Sequence, residues 1–401
     1  MIALLIGITA GLVVLFPSWL ASHVSWGGPF PILLVGLIGA LFHRLYFSQI
    51  PSPSRIYDGI ADLFIHIHYR YARETPVRWF ARGLMSTLLY MFGGLVGMEG
   101  AAAEISHGFA LSHRKPNEKW SEQKRRTDVA CVLAAGIAAA YQAPFAALVF
   151  VVELGVGGRT LSAVVSAISA FFTVTWVSKH TDLEFDWVSF FSNLPSERAS
   201  WFWVMGLAVI VGLVGVGLIN GLRFYQEMFF ELMRKHLWIC AIVGALILCA
   251  TQMLYPMAYG TPFMELSQLF STHRSFSQLM IYVLNEALVL CTVMAAFGSV
   301  GIIWPLMMMG GVIGFAVISS GAGLFAGMAA LISAVLGTPL FACILVWELT
   351  NDWRYFLIAS LSAFVAHYTR KFLKQKPLVQ RYLEFRGLKL LDGRSADILQ
   401  S

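Results

Sequence analysis

The residue most able to carry out a chemical function is Glu99, which lies between two glycines in the segment Gly97-Met98-Glu99-Gly100-Ala101. Apolar runs flank this segment on both sides. An ionisable side chain inside a membrane costs about 2.5 kcal/mol or more, so such residues tend to line paths for ions or protons. Glycines let backbone N–H groups approach a ligand closely, and the small residues from Ala101 onward are expected to begin a helix whose N-terminal amides favour an anion. The segment therefore predicts an acid and an anion that compete for one site.

The composition places the chain among helical membrane proteins. Of its 401 residues, 58% are hydrophobic and only 12% are charged, whereas soluble domains carry about 25% charged residues. Apolar runs of membrane-spanning length recur along the whole chain. The first of them, 1–20, lacks a basic leader and a small-residue cleavage site, so we interpret it as a retained membrane helix and not as a signal peptide.

The net charge of +6 does not indicate nucleic-acid binding, because the basic residues cluster in short segments between or after apolar runs. One cluster lies at 113–126 and another at 370–389. Both are predicted to face the cytoplasm by the positive-inside bias. The five cysteines lie in apolar runs without paired spacing, which favours packing roles over disulfides or a metal cluster. We expect no cofactor and no metal.

An internal repeat organises the chain. The segment 143–154, Ala-Pro-Phe-Ala-Ala-Leu-Val-Phe-Val-Val-Glu-Leu, has a counterpart at 338–349, Thr-Pro-Leu-Phe-Ala-Cys-Ile-Leu-Val-Trp-Glu-Leu. Each begins with a small residue and a proline at the first helical position and ends in Glu-Leu. Glycine-marked breaks precede them at 97–101 and 298–305. Matching broken helices in two halves are typical of internally repeated transporters with a site near the bilayer midplane. The amino-acid sequence leaves open whether the repeat is parallel or inverted.

The repeat suggests four parts. We predict a first transmembrane repeat at 1–180, a polar connecting loop at 181–200, a second transmembrane repeat at 201–376 and a short cytoplasmic tail at 377–401. Several of the predicted helices within the repeats are too short to cross about 30 Å of hydrocarbon.

Three stretches together resemble the CLC family of chloride channels and proton/chloride antiporters. They are 97–101 around Glu99, Gly136–Pro144 with the following Glu153, and Gly301-Ile302-Ile303-Trp304-Pro305. The resemblance extends over roughly 48–379. It implies an all-α membrane fold of two inverted repeats with discontinuous helices, forming a homodimer with one pore per subunit. It also implies that helix N-termini hold the anion.

Carried over to this sequence, the resemblance assigns roles to individual residues. Glu99 matches the family's gating glutamate. Anion-binding positions are expected at Gly97, Met98 and Gly100 in the first half and at Gly301, Ile302 and Ile303 in the second. Ser48 matches the serine whose hydroxyl contacts the central anion, although both glycines that normally flank it are absent. A plain helix-end serine is the alternative interpretation of Ser48.

The sequence also departs from the family pattern. Met98 stands where a basic residue is usual, which weakens the attraction of the outer vestibule for anions, and Ala101 replaces a proline. The family's pore tyrosine falls at Val379, and Tyr382 is only a weak substitute. The loss of the tyrosine at Val379 predicts a more open inner gate.

The most consequential departure is Leu154, which follows Glu153 where antiporters of the family carry an inward-facing proton glutamate. A leucine relays no proton, which favours a channel or a loosely coupled carrier. Glu286, in another apolar run, leaves two alternatives open: a partner for a cation such as Arg82, or another proton path.

Other buried polar candidates have structural interpretations. Glu104, Glu153 and Glu348 are expected to cap or pair. His107 is able to titrate near neutral pH but is more often a hydrogen-bonded core residue. Trp304 is interpreted as packing.

The resemblance therefore implies transport of chloride or another small anion by a homodimer in a lipid bilayer, and we expect a bacterial inner membrane. No enzyme motif competes with this prediction. The alternatives are a proton/chloride antiporter that uses another inner acid such as Glu286, and an ion-coupled carrier of a different family with broken helices.

Overall fold

The computed structural model describes residues 1–23, 30–42, 60–68, 75–92, 94, 96–113, 121–181, 187, 191, 200–233, 237–254, 274–298, 301–385, 389–390 and 398–399. The helices in these ranges are α1 Ile2–His23, α2 Phe30–Phe42, α3 Ile60–His68, α4 Pro76–Met91, α5 Met98–Ser112, α6 Glu122–Tyr141, α7 Pro144–Glu153, α8 Thr160–His180, α9 Trp201–Met233, α10 Leu237–Leu254, α11 Phe276–Phe297, α12 Ile303–Val317, α13 Gly321–Leu336, α14 Pro339–Thr350, α15 Trp353–Phe372 and α16 Leu378–Phe385. Two short strands, β1 Lys389–Leu390 and β2 Ile398–Leu399, pair antiparallel.

The helices fall into long and short classes, as the apolar runs predict. Three described segments, Thr160–His180, Trp201–Phe229 and Phe276–Phe297, are long and apolar enough to cross a membrane. Others are apolar but short, and α7 has only 10 residues. Ten helical residues span about 15 Å, half of the hydrocarbon thickness. The fold thus contains discontinuous helices.

Residues in the left-handed backbone conformation end the helices that precede α7 and α14, the two short helices that begin with a proline. Helix α6 ends at Gln142 with φ 51°, and Pro144 then starts α7. Helix α13 ends at Gly337 with φ 79°, and Pro339 then starts α14. A residue with positive φ terminates a helix, and a proline at the first helical position loses no hydrogen bond. The same local chemistry therefore makes the same turn in both halves.

Reciprocal caps show how the halves are related. The Glu153 carboxylate at the end of α7 accepts two backbone N–H bonds from the first turn of α14, at 3.0 and 2.9 Å. The Glu348 carboxylate near the end of α14 accepts two from the first turn of α7, at 3.0 and 2.6 Å. Each helix thus ends where the other begins, so α7 and α14 run antiparallel. The repeat is inverted, and the capping roles expected for both glutamates are present.

Corresponding helices pack alike in the two halves. Helix α6 packs on α8 as α13 packs on α15, and α1 packs on α8 as α9 packs on α15. Small residues permit the closest approaches: a Cβ at Gly215 of α9 would lie 2.7 Å from Ala334 of α13. Close van der Waals contact between small residues drives helix association in a membrane, where apolar burial supplies little.

The chain after α15 contributes to the core. In α16, Leu378, Val379, Tyr382 and Leu383 are buried, and the helix packs against α3 and α13. The start of the segment expected to be a tail is therefore an integral part of the packed structure.

We predict that Glu153→Gln lowers the melting temperature of the protein in mild detergent. The change removes the negative charge and one of the two acceptor oxygens, and hydrogen bonds to charged groups contribute about 1.5–3 kcal/mol each. Glu227→Gln is the matched control, because Glu227 is an exposed partner of Arg223 in an i,i+4 pair, worth about 0.5 kcal/mol or less. Equal melting temperatures for the two variants would contradict the capping role.

Candidate functional site

The site begins at the N-terminus of α5. Gly97 is the N-cap with an extended backbone, and the helix starts at Met98, three residues before Ala101, where the sequence predicts the small-residue helix to begin. Glu99 therefore lies within the first helical turn and not in the segment before it. A carboxylate there is close to the amides that a helix N-terminus leaves without intrahelical partners.

The Glu99 carboxylate is held by groups from two other helices. Its Oε1 accepts a hydrogen bond from the Ile303 N–H at 2.8 Å. Its Oε2 accepts one from the Tyr141 hydroxyl at 2.9 Å. The residue is 4% exposed, and a Cβ at Gly97 would overlap its carboxylate. The side chain is thus folded over its own helix start and bridges α5 to α6 and α12.

The N-termini of α5 and α12 meet at this carboxylate. The Gly97 N–H donates to the Gly301 carbonyl at 2.9 Å, and Ile302 is the N-cap of α12. A Cβ at Gly301 would overlap the Gly97 backbone, so glycine is required for this approach. The two segments that the sequence singled out, separated by about two hundred residues of chain, lie side by side.

The remaining expected anion-binding residues lie around the same point. Met98 and Ile302 are buried, at 5% and 3% exposure. The Gly100 N–H donates back to the Gly97 carbonyl at 3.4 Å, so this amide is directed along the helix. Ser48 lies outside the described residues.

A small recess lies beside the carboxylate. We call it the gate recess; it is lined by Tyr90, Gly97, Met98, Ala140, Tyr141, Trp187 and Trp304. Trp187 comes from the segment between the two halves, where its Nε1 donates to the Ala140 carbonyl at 3.1 Å. Its ring centroid is 5.3 Å from that of Trp304. Aromatic rings therefore line the space next to the Glu99 carboxylate.

The sequence does not predict several residues of this recess. Tyr141 belongs to the motif at 136–144 without an assigned role, and Tyr90 lies in an apolar run. Trp187 lies in a segment that the sequence predicts only as a polar loop, and Trp304 is predicted to be a packing residue. The only sequence signal for Tyr141 was its position just before the Gln142 break. That position directs the end of α6 toward the start of α5.

The inner side of the site is apolar where the sequence departs from the family. Leu154 is the C-cap of α7 and is 4% exposed. Val379 is 2% exposed. The Tyr382 hydroxyl lies 3.8 Å from Met294 Sδ on α11. The space expected at Val379 is thus occupied by packed side chains from α16, which does not support the more open inner gate.

Glu286 is deeply buried on α11, at 1% exposure. Arg82, the cation considered as its partner, forms ion pairs with Asp62 at 2.6 Å and with Glu104 at 3.0 Å. The carboxylates of Asp62 and Glu104 therefore already balance the positive charge of Arg82. The structure does not favour a pair between Glu286 and Arg82.

One group of side chains has the composition of a metal site but not its geometry. Possible ligand atoms of His66, His107 and Asp128 lie within 4.8 Å of one another. The His107 Nδ1 to Asp128 Oδ2 distance is 2.7 Å, shorter than the roughly 3.4 Å between two ligands that share a tetrahedral Zn²⁺ at about 2.1 Å. The two side chains are therefore in direct polar contact and too close to share a metal ion.

The fold and site define a helical membrane protein in which two helix N-termini face an anionic group. Residues 36–371 match the family described as voltage gated chloride channel. The chain belongs to this family, the CLC family, whose members transport chloride and related anions. The prediction of a carrier from a different family is therefore wrong.

Named relatives and solved structures agree with the family assignment. The chain is 27% identical over 300 residues, 68% of each chain, to the voltage-gated ClC-type chloride channel ClcB of Shigella flexneri. It is 26% identical over the same length to ClcB of Escherichia coli K12.

Among solved structures, a slow cyanobacterial Cl⁻/H⁺ antiporter superposes with a TM-score of 0.73 at 19% identity, covering 96% of this chain and 97% of that one. A CLC-type fluoride/proton antiporter superposes with a TM-score of 0.65 at 18% identity, covering 92% and 93%. At these identities the likeness establishes the fold: CLC-type, all-helical, with two inverted repeats.

We predict that Tyr141→Phe increases anion flux in proteoliposomes. The change deletes the hydrogen bond from the Tyr141 hydroxyl to the Glu99 carboxylate. A bond to a charged group contributes about 1.5–3 kcal/mol, so the carboxylate leaves the amides more often. The control is Tyr225→Phe, which removes a hydroxyl that contacts Thr292 at 3.1 Å. A Tyr141→Phe flux equal to that of the control would contradict the proposed hold on Glu99.

Proposed function

We propose that this protein conducts chloride or a similar small anion across a membrane through a path that Glu99 closes and opens. The observation that carries this proposal is the position of the Glu99 carboxylate, which receives the Ile303 N–H at the start of α12. A helix N-terminus is a ready-made anion site, so the carboxylate occupies a place suited to a transported anion.

Competition between the carboxylate and the anion explains the gate. An ionised Glu99 accepts both hydrogen bonds and excludes a second negative charge. A proton on the carboxyl removes the charge, weakens its hold on the amides and leaves them available to an anion. Since Met98 supplies no positive charge, the attraction comes from first-turn amides of α5 and α12, such as that of Ile303.

The arrangement favours a channel or a loosely coupled carrier. Leu154 is buried where antiporters of the family have a second proton-carrying glutamate, and an unpaired charge beside it is costly. The second candidate function is proton/anion antiport through a different inner acid. Glu286 supports it, because a buried acid on a membrane-spanning helix is a functional candidate by default.

We further propose a homodimer in a bacterial inner membrane. Helices α8 and α15, which follow the two Glu-Leu ends, display large exposed apolar side chains, among them Phe172, Trp176 and Tyr368. An isologous interface on these helices fits the inverted symmetry of the halves. The proposed division is a first repeat at 1–180, a connecting segment at 181–200, a second repeat at 201–376 and a C-terminal segment at 377–401.

We predict that Glu99→Gln makes anion flux independent of pH. Glutamine has the shape of the protonated acid and no charge, so the amides stay available at every pH. The parent flux should rise as pH falls, because protonation releases Glu99, and the variant should be at the high level throughout. Chloride efflux from sodium-free proteoliposomes measures both. A variant that keeps the parent's pH profile would remove the gating role.

We predict that the reversal potential in planar bilayers follows the chloride gradient alone when chloride and proton gradients are opposed. Leu154 gives the proton no station on the usual inner path. Glu286→Gln should leave this potential unchanged. A reproducible shift with the proton gradient that Glu286→Gln abolishes would instead establish antiport through α11.

A further inference from the structure

One face of α4 carries a line of buried side chains that interact through polar groups or rings. Trp79, Arg82, Ser86 and Tyr90 follow one another at intervals of three or four residues, which places them on one side of a helix. Their exposures are 2, 5, 2 and 7%. Polar and charged groups at this depth are costly and are usually functional. We call this line the α4 polar face.

The middle of the α4 polar face is an ion-pair cluster. The Arg82 guanidinium contacts Asp62 of α3 at 2.6 Å and Glu104 of α5 at 3.0 Å. The Ser86 hydroxyl donates to the other oxygen of Glu104 at 3.0 Å. Glu104 is completely buried. A carboxyl that touches both a hydroxyl and a guanidinium has hydrogen-bond partners in its ionised form.

One end of the face lies toward the end of α5 and the start of α6. Trp79 lies under the Arg82 guanidinium at 4.8 Å and edge-on to His107 at 4.6 Å. His107 Nδ1 is 2.7 Å from Asp128 Oδ2, and Asp128 keeps 6% exposure near the start of α6. The polar groups therefore continue to the end of the helices that joins segment 113–126.

The other end of the face reaches the gate. Tyr90 lines the gate recess together with Tyr141, whose hydroxyl donates to Glu99. Helices α4 and α5 are antiparallel here, since a Cβ at Gly83 would meet Ile105 while one at Gly108 would lie 3.1 Å from the Pro76 carbonyl. Along α5, Glu99 precedes Glu104 by five residues, an axial rise of about 7.5 Å.

Two acids of the cluster share one guanidinium. Asp62 and Glu104 both contact Arg82, and Asp128 lies beside His107, whose ring centroid is 4.7 Å from that of His66. Arg78 of α4 and Arg125 and Cys131 of α6 are further ionisable side chains of these helices. A proton on Glu104 would leave one carboxylate for the one guanidinium, and an uncompensated charge is strongly disfavoured at this burial.

We propose that the α4 polar face, with Glu104, His107 and Asp128, carries the proton that opens Glu99 between the gate and the face of the membrane that bears segment 113–126. This inference rests on the proposed gating role of Glu99. A proton enters at the Asp128–His107 pair and passes to Glu104. The hydroxyls of Ser86, Tyr90 and Tyr141 each accept one proton as they release their own, and the Glu99 carboxylate becomes a carboxylic acid when it receives the proton of the Tyr141 hydroxyl. A second proton from water then restores the cluster, while Arg82 stays protonated throughout.

The test uses inverted and right-side-out membrane vesicles from the same cells, in which the biosynthetic orientation is retained. By the positive-inside bias, segment 113–126 faces the bath in inverted vesicles. Chloride flux is measured while only the bath is acidified. We expect the parent to respond more strongly in inverted vesicles than in right-side-out ones.

Three variants interrupt the proton path: Ser86→Ala, Tyr90→Phe and the isosteric Glu104→Gln. Each should lose the response to the acidified bath in inverted vesicles. Thr87→Val is the matched control, because its buried hydroxyl, next to Ser86 in sequence, bonds to the Gly83 carbonyl of its own helix at 2.8 Å. This control should respond like the parent. Ser86→Ala combined with Glu99→Gln should conduct as Glu99→Gln does, which separates a proton path from damage to the pore.

The outcomes distinguish the two proposals. If Glu99→Gln abolishes the response while Ser86→Ala, Tyr90→Phe and Glu104→Gln respond like the parent, the proton path is wrong and the gate stands. If Glu99→Gln itself keeps the parent's response, the proposed gate fails and this inference fails with it. A parent that responds only in right-side-out vesicles would also overturn the path.

Discussion

The structure depends on one constraint: two helix N-termini that point at each other need a negative charge between them. Helices α5 and α12 approach so closely that Gly97 and Gly301 share a backbone hydrogen bond. Their first-turn amides would repel across this gap if it were empty. The Glu99 carboxylate supplies the charge from within the chain, and a transported anion is able to supply it from outside. The proposed gate is thus an exchange of one negative group for another.

Inverted symmetry produces this geometry. The reciprocal caps between α7 and α14 fix the two short helices antiparallel, with each glutamate satisfying amides of the opposite half. Helix α7 follows α6, and α14 follows α13, in each case across a residue in the left-handed conformation. The orientation of α7 and α14 therefore also sets that of α6 and α13. The start of α5 then meets the start of α12 from the opposite side. A carboxylate on first-turn amides recurs at Glu153, Glu348 and Glu99. It caps helices at the first two positions, and we propose that it gates the anion path at Glu99.

The sequence predicted features that depend on local chemistry. The breaks before Pro144 and Pro339 and the helix starts near 98 and 303 follow from glycine, proline and apolar length. The site could not be completed in this way. The contact of Tyr141 with Glu99 joins residues 42 apart, and nothing in the local pattern sets the rotation of α6. The pairing of Arg82 with Glu104 instead of Glu286 was equally inaccessible, because it depends on which face of α4 packs against α5.

The most direct test of the central claim is the position of a heavy halide. Crystals of the parent and of Glu99→Gln, grown in bromide at neutral pH, locate the anion by its anomalous signal. Competition for the amides predicts a bromide peak in contact with the Ile303 N–H in Glu99→Gln, and the carboxylate in its place in the parent. A peak of equal height at that amide in both proteins, with the parent's Glu99 still hydrogen-bonded to Ile303, would show that acid and anion do not compete and would contradict the account.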